Sequence, residues 1–412
     1  MPGCTRAVVI SGSEGGEAME QAPRGTRLHI GIFGRRNAGK SSFINALTEQ
    51  DVAIVSDVLG TTADPVYKNM EIRGVGPCVL IDTAGFDDTG VLGLRRVEKT
   101  EKALEKTDVA ILVFAGVFSE EDAAWADKCR TRKIPVLPVL NKTDVGETEG
   151  VAEAAEAACG RAVLRVSAAE KTGFEAVRKA LMPFSAEERS ITGRVCKSGD
   201  HVMLVMPQDD SAPKGRLILP QVQTIRELLD RGCIATAVTP ETMEAALERC
   251  AKKPDLIITD SQVFKTVYEK TPRGVALTSF SVLLADVKGD AEIFMRGAER
   301  IEKLQEEDRV LIAEACTHAP ASEDIGRVKI PALLRKKVGQ GLGVDVVSGE
   351  DFPADLSPYS LIIHCGACMF NRRHVLSRIA AAEAAGVPIT NYGMTIAKLT
   401  GILDKVVIPG RE

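Results

Sequence analysis

The stretch LHIGIFGRRNAGKSSFINAL, residues 28–47, decides the fold of the amino-terminal part of the chain. Leu28 to Phe33 is a short apolar, β-prone run, and Ser41 to Leu47 has helical composition. Between them Gly34-Arg35-Arg36-Asn37-Ala38-Gly39-Lys40-Ser41 matches GxxxxGK[ST]. A strand, a glycine-rich turn and a helix in that order build a phosphate loop. The glycines let backbone N–H groups turn inward, Lys40 supplies a cation for the β- and γ-phosphates, and the Ser41 hydroxyl is a magnesium ligand. The expected nucleotide contacts here are Gly34, Arg36, Asn37, Ala38, Gly39, Lys40, Ser41 and Ser42.

Working outward, Asp82-Thr83-Ala84-Gly85 follows the apolar run CVLI, at a strand end where ligands collect in open α/β sheets. Asp82 is expected to hold magnesium through water, and the Gly85 N–H to sense the γ-phosphate. Asn141-Lys142-Thr143-Asp144 ends the run PVLPVL. Asp144 can accept hydrogen bonds from guanine N1 and N2, donors that adenine does not offer there, while Asn141 and Lys142 support the base and the loop. Ser167-Ala168, after VLRV, falls where a further base-contacting loop belongs. Gly60-Thr61-Thr62 lies between the phosphate loop and the magnesium strand, which makes Thr62 the expected switch residue closing on the metal. Taken together the motifs predict a guanine-nucleotide site with Lys40, Asn37, Thr62, Asp82 and Gly85 at its reacting end, and magnesium on Ser41, Thr62 and Asp82. The alternation of β-rich and helical stretches from 28 to 185 predicts an α/β domain with a mostly parallel sheet.

A chain of 412 residues exceeds one ordinary core, and its balance of 45% hydrophobic to 26% charged residues is that of a globular protein. A net charge of −5 argues against a nucleic-acid binder held mainly by counterion release. The longest apolar run, Val109 to Phe118, is about half of what a membrane span requires. Residues 1–27 carry no signal pattern and are expected to be a flexible leader on a cytoplasmic protein, in which thiols stay reduced. A second segment, 186–275, opens with HVMLVMP and DDSAPKGRLILP, then a helical run from Val222 to Arg231, and reaches DLIITD. A third, 276–412, alternates again through VLLADVKG, a helix near Ala291 to Leu304, DRVLIAEACTH, a helix around Val328 to Lys337, GVDVVSG, SLIIHCGACMF and a last helix from His374 to Ala385. No internal repeat stands out.

Cys316-Thr317-His318 follows one expected strand of the third segment, and His364-Cys365-Gly366-Ala367-Cys368 follows another. Two parallel strands deliver both groups to one sheet edge. Cys316, Cys365 and Cys368 suit an iron–sulfur cluster, with His318 or His364 as an additional ligand or a supporting donor. The same residues suit structural zinc with three Cys and one His, and the plain reading is a set of buried cysteines. The isolated Cys4, Cys78, Cys129, Cys159, Cys196, Cys233 and Cys250 read mostly as small core or surface residues.

Asn37 within the phosphate loop, Gly60-Thr61-Thr62, and Phe86 in place of a water-orienting glutamine resemble the TrmE-Era-like GTPases. That resemblance implies slow hydrolysis stimulated by potassium bound with the help of Asn37. Joined to the CxH and HCxxC groups, it makes the chain similar to the iron-iron hydrogenase maturation GTPases, the HydF family. The family resemblance implies a GTPase domain (28–185), a dimerisation domain (186–275) and a cluster-binding domain (276–412), with a 4Fe-4S cluster on Cys316, Cys365 and Cys368. It also implies a homodimer or tetramer acting as a scaffold on which a di-iron precursor is assembled and passed to apo-hydrogenase, fed by two radical-SAM maturases, with no nucleic-acid or membrane partner. Asp209 matches a position from which an aspartate approaches the cluster as a labile ligand. The rival expectation is a ribosome- or RNA-associated GTPase with a zinc-stabilised accessory domain. A third is a redox-sensing regulator whose cluster gates the GTPase.

Overall fold

The computed structural model describes residues 25, 27–49, 65–87, 90–145, 149–185, 190–208, 215, 217–315, 324–349, 351–367 and 370–409. The leader expected over 1–27 lies outside them apart from Gly25 and Arg27. The chain divides into two compact units, Met1–Ala186 and Glu187–Glu412.

The first unit runs β1 (Leu28–Phe33), α1 (Lys40–Thr48), β2 (Val66–Ile72), β3 (Gly76–Asp82), α2 (Gly90–Leu104), β4 (Val109–Phe114), α3 (Glu120–Thr131), β5 (Val136–Leu140), α4 (Glu149–Cys159), β6 (Leu164–Arg165) and α5 (Phe174–Leu181). The sheet order is β2-β3-β1-β4-β5-β6. All neighbours pair in parallel except β2, which runs antiparallel to β3. Continuous apolar runs such as β1 and β4 are buried along their whole length because helices cover both sheet faces. Phe43, Ile44, Leu47 and Val177 pack on one face; Phe33, Leu104, Trp125 and Cys129 pack on the other. The β1–β3 and β1–β4 pairings bring the loops after these strands to one edge.

The second unit holds two wholly parallel sheets. The first contains β7 (His201–Val205), β8 (Ile234–Val238), β9 (Leu256–Thr259) and β10 (Ala276–Ser279), with α6 (Leu219–Asp230), α7 (Met243–Arg249), α8 (Phe264–Lys270) and α9 (Phe280–Lys288) between and after them. The second follows α10 (Ala291–Glu299) and contains β11 (Arg309–Glu314), β12 (Gly343–Ser348), β13 (Leu361–His364) and β14 (Ile389–Asn391), with α11 (Ile330–Val338), α12 (Arg372–Ala384) and α13 (Tyr392–Leu399). Their orders, β8-β7-β9-β10 and β12-β11-β13-β14, are the same pattern. The topological repeat carries no visible sequence repeat. A shared apolar core takes Met203 and Ile257 from one sheet and Leu311 and Ile362 from the other.

Two local expectations change. VLLADVKG reads as part of the strand alternation, yet it lies in α9, capped by Ser279, whose side chain accepts from Val282 N. The helix is buried at Val282, Leu283, Leu284 and Ala285, so its apolar run shows no 3.6-residue stripe. The helix ending near Ala385 is not the last element, since β14 and α13 follow it. β10 completes the middle sheet, and the junction expected at 275/276 falls at its start. Cys78, Cys129, Cys196 and Cys233 are buried core residues, and burial pushes the Cys78 thiol up to about 12.

Candidate nucleotide and thiol sites

The phosphate loop joins β1 to α1 and is pinned from several sides. Arg35 Nε lies 3.0 Å from Asp122 Oδ2, and its guanidinium also donates to Val117 O. Asp122 is buried and closes a capping box with Ser119 at the start of α3. Burial holds its carboxyl above the usual range, against the lowering effects of the Ser119 hydrogen bonds and Arg35. Asn37 adopts a left-handed backbone at φ 60°, which Asn tolerates better than most residues. Gly39, at φ 85°, has no room for a side chain: a Cβ there would stand 2.4 Å from Asn141 Nδ2. Lys40 Nζ donates to Gly34 O and Arg35 O, both at 2.9 Å, so the ammonium lies across the loop it serves.

Asp82 ends β3, and Ser41 Oγ reaches its Oδ2 at 3.5 Å. Burial raises the Asp82 pKa, while Lys40, Lys68 and the Ser41 hydroxyl oppose the shift. Its Oδ1 is buried with no hydrogen-bond partner among the described residues. A buried carboxylate oxygen left open beside a hydroxyl fits a hard cation such as magnesium. Thr62, expected to complete that set, lies outside the described residues together with Gly60 and Thr61.

The base end is tied together by one buried side chain. Asn141 Nδ2 donates to Ala38 O at 3.0 Å, and its Oδ1 accepts from Ala168 N at 3.0 Å. Ser167 Oγ donates to Asp144 Oδ1 at 2.6 Å, which orients the carboxylate and leaves its other oxygen outside that bond. Lys142 sits in a left-handed conformation at φ 64°. Ser42 lies half-buried in the first turn of α1. Phe86 is buried and stacks on Trp125, ring centres 4.9 Å apart, and Trp125 in turn stacks on Phe33.

Two contacts at this site have no motif behind them. Arg35 and Asp122 occupy unspecified positions in unrelated segments, and no local pattern links them. Asp87 accepts from Arg36 N at 2.7 Å; an acidic residue two places beyond Gly85 was the available signal.

In the second unit β11 and β13 are neighbours in register, Ala313 opposite His364. Cys365 Sγ accepts from Ala315 N at 3.0 Å. Cys365 therefore touches the residue immediately before Cys316. Cys316, His318, Cys368 and Asp209 lie outside the described residues. Among the described residues no three His, Cys, Asp or Glu side chains gather to hold a metal.

His364 is fully buried, its Nδ1 2.7 Å from Cys365 O and its Nε2 3.0 Å from Arg378 Nη1. A guanidinium only donates, so Nε2 accepts and the proton sits on Nδ1, donating to Cys365 O. Both ring nitrogens are engaged, and His364 orients the backbone of Cys365 without offering it a metal-ligating nitrogen. Arg378 also donates to Gly349 O and lies over the Phe352 ring. Tyr392 Oη is buried with no hydrogen-bond partner among the described residues. Burial, then the charges of Cys365 and Glu314, push its phenol up. A buried hydroxyl left open beside Gly326 and Glu314 fits a polar group that the described residues do not supply.

Residues 191–289 match the family model described as the hydrogen maturase F dimerization domain, and residues 292–409 match the hydrogen maturase F tetramerization domain. Together these take in more than half of the chain. Residues 29–142 match the model described as a 50S ribosome-binding GTPase. GTPase Der of Wolinella succinogenes is 39% identical over 138 residues, which cover 32% of this chain and 29% of that protein. The tRNA modification GTPase MnmE of Exiguobacterium sibiricum is 34% identical over 164 residues, covering 39% and 35%. The chain thus spans about a third of the length of these curated relatives. A solved structure of Aquifex aeolicus Era aligns at 18% identity and a TM-score of 0.36, covering 51% of this chain and 92% of that one.

Proposed function

Since the chain belongs to the hydrogen maturase F family, we propose that it is a GTP-hydrolysing scaffold that carries a 4Fe-4S cluster and assembles or delivers a di-iron precursor to apo-hydrogenase. The observation that supports the reading is the contact of Cys365 Sγ with Ala315 N, the residue immediately before Cys316. Cys316, Cys365 and Cys368 would hold the cluster, with Asp209 or His318 at the remaining position. When bound, it would supply an iron site able to take an anionic ligand of the precursor.

At the nucleotide end the chain's own groups do the work. Inward N–H groups and Lys40 would bind the phosphates, and Ser41, Asp82 and Thr62 would hold magnesium. Asp144, oriented by Ser167, would select guanine. The Gly85 N–H would meet the terminal phosphate. Phe86, stacked on Trp125, has no polar atom with which to orient water. Hydrolysis is therefore expected to be slow, with potassium near Asn37 supplying the charge that an arginine finger would otherwise bring.

Among the described residues, the middle sheet ends in an unpaired edge available for self-association. β8 is an edge strand, and Ile234 on it is 60% exposed, with Leu229 and Val222 of α6 at 53% and 47%. We assign this surface to the homodimer, because exposed apolar residues along an unpaired strand favour pairing with another copy. The two radical-SAM maturases and the apo-hydrogenase are the proposed partners.

Anaerobic reconstitution with iron and sulfide tests the assignment. About four irons per chain and a reduced-cluster paramagnetic signal support it; tight zinc without such a signal overturns it. Cys365→Ser should abolish the signal and leave GTP hydrolysis intact. Replacing potassium by sodium should slow that hydrolysis.

A further inference from the structure

Asp87 belongs to none of the nucleotide motifs, yet it occupies a telling position. It stands in the loop leaving β3, two residues beyond Gly85, and its Oδ1 accepts from the Arg36 backbone N–H at 2.7 Å. The same N–H lies against Gly85. A Cβ built on Gly85 would stand 2.7 Å from Arg36 N and 2.8 Å from Asp87 Oδ1. Three groups therefore meet at one point: a donor of the phosphate loop, the glycine of Asp82-Thr83-Ala84-Gly85, and a carboxylate.

N–H groups of a phosphate loop are arranged to receive anionic oxygens. On the proposed reading, in which the Gly85 N–H meets the terminal phosphate, the anion arriving at this corner is the terminal phosphate of GTP, which GDP lacks. We propose that Asp87 is a surrogate anion. Its carboxylate satisfies the Arg36 N–H while no terminal phosphate is present, and GTP must expel it. Two anions cannot share one donor at hydrogen-bond distance without strong repulsion. Expulsion of Asp87 pulls on the loop that leaves Gly85. The carboxylate thereby converts the presence of a third phosphate into a displacement of that loop, and it lowers the affinity for GTP relative to GDP. A ligand shifts such an equilibrium only by its differential affinity for the two states, and here the difference lies in one phosphate.

The inference rests on the guanine-nucleotide reading and has a separate test. Equilibrium binding of fluorescent GDP and of a fluorescent non-hydrolysable GTP analogue is measured on the full chain, for the wild type, Asp87→Asn and Asp87→Ala. Asp87→Ala should move the affinity ratio about ten-fold toward the triphosphate, inside the range usual for coupled sites. Asp87→Asn should move it less, because the amide oxygen still accepts from Arg36 N–H but carries no charge. GDP affinity should move far less than the ratio. An unchanged ratio in both variants overturns the proposal, and so does an equal loss of both nucleotides, which would make Asp87 a plain loop tether. A wild type that binds neither guanine nucleotide would instead sink the nucleotide reading.

Discussion

The two sheets of the second unit share a strand order but set their charged anchors at opposite ends. In the middle sheet one such anchor is at the amino-terminal side, where the chain enters. Glu227 of α6 accepts from Ser190 Oγ, Ile191 N, Thr192 N and Thr192 Oγ1, all within 2.8 Å. At its carboxyl ends this sheet has a cavity of about 450 Å³ between β7 and β8, reached by Met206, Gln208, Gln221, Thr239 and Thr242. At the corresponding end of the last sheet the charged anchor is a guanidinium. Arg378 of α12 spans from Gly349, after β12, to His364, at the end of β13, across the end of β11. One fold pattern thus carries an anchor for the entering chain in the first case and a support for the Cys365 backbone in the second, at the strand ends where ligands collect in open α/β sheets.

The sharpest way to break that comparison is to remove the guanidinium. Arg378→Leu would leave Gly349 O and His364 Nε2 without their donor in a buried setting, at a cost of about 3 kcal/mol in urea unfolding. On the proposed cluster assignment it should also lower iron loading, since His364, which orients the Cys365 backbone, loses the bond that fixes its tautomer. Full stability with normal loading would show that this end of the sheet is held by packing alone. A smaller effect tests the far edge of the same sheet. α10 approaches β14 so closely that a Cβ on Gly297 would stand 1.9 Å from Ile389 O. Gly297→Ala should cost about 2 kcal/mol by forcing helix and strand apart. The middle sheet's edge strand β10 is covered differently, by Val407 N donating to Leu277 O at 2.8 Å. No corresponding glycine sets that spacing.

What could be read beforehand follows the same division. The segments 34–41, 82–85, 141–144 and 167–168 were legible because each is contiguous and ends or follows a strand, whereas Gly60-Thr61-Thr62 lies outside the described residues. Asn141 meeting Ala38 and Ala168 is the three-dimensional form of that spacing. The strand ends carrying Cys365 and the residue before Cys316 were legible for the same reason. Arg378, Glu227 and Asp87 were not, because each is a single charged residue on a helix or loop whose partners lie 14 to 51 residues away. A charge in such a position normally marks a solvated surface. α9 was misread because a helix buried on nearly all sides loses the periodicity that distinguishes it from a strand. The repeat of strand order escaped notice because parallel strands buried on both faces require only apolar residues, not similar ones.

The smallest expected effect separates the two sheets by acid. Glu227 has its carboxyl held below the usual range: burial raises it, but the Ser190, Thr192 and Ile191 hydrogen bonds together outweigh burial. A depressed carboxyl contributes stability that is fully present above the unfolded glutamate pKa of about 4.3 and is lost as pH falls through the lower folded value. Arg378 stays charged throughout that window and contributes no such slope. Acid should therefore loosen the segment entering β7 before the carboxyl ends of β11 and β13. Amide exchange at Ile191 and Thr192, taken relative to the intrinsic rate at each pH, should accelerate between about pH 5 and pH 3 while that of Ala315 holds. Glu227→Gln should cost about 1 kcal/mol at neutral pH, because an amide oxygen accepts more weakly than a carboxylate, and it should flatten the acid response. Equal acceleration in both regions would mean that the unit opens as a whole, and that the two anchors differ in chemistry but not in what they hold.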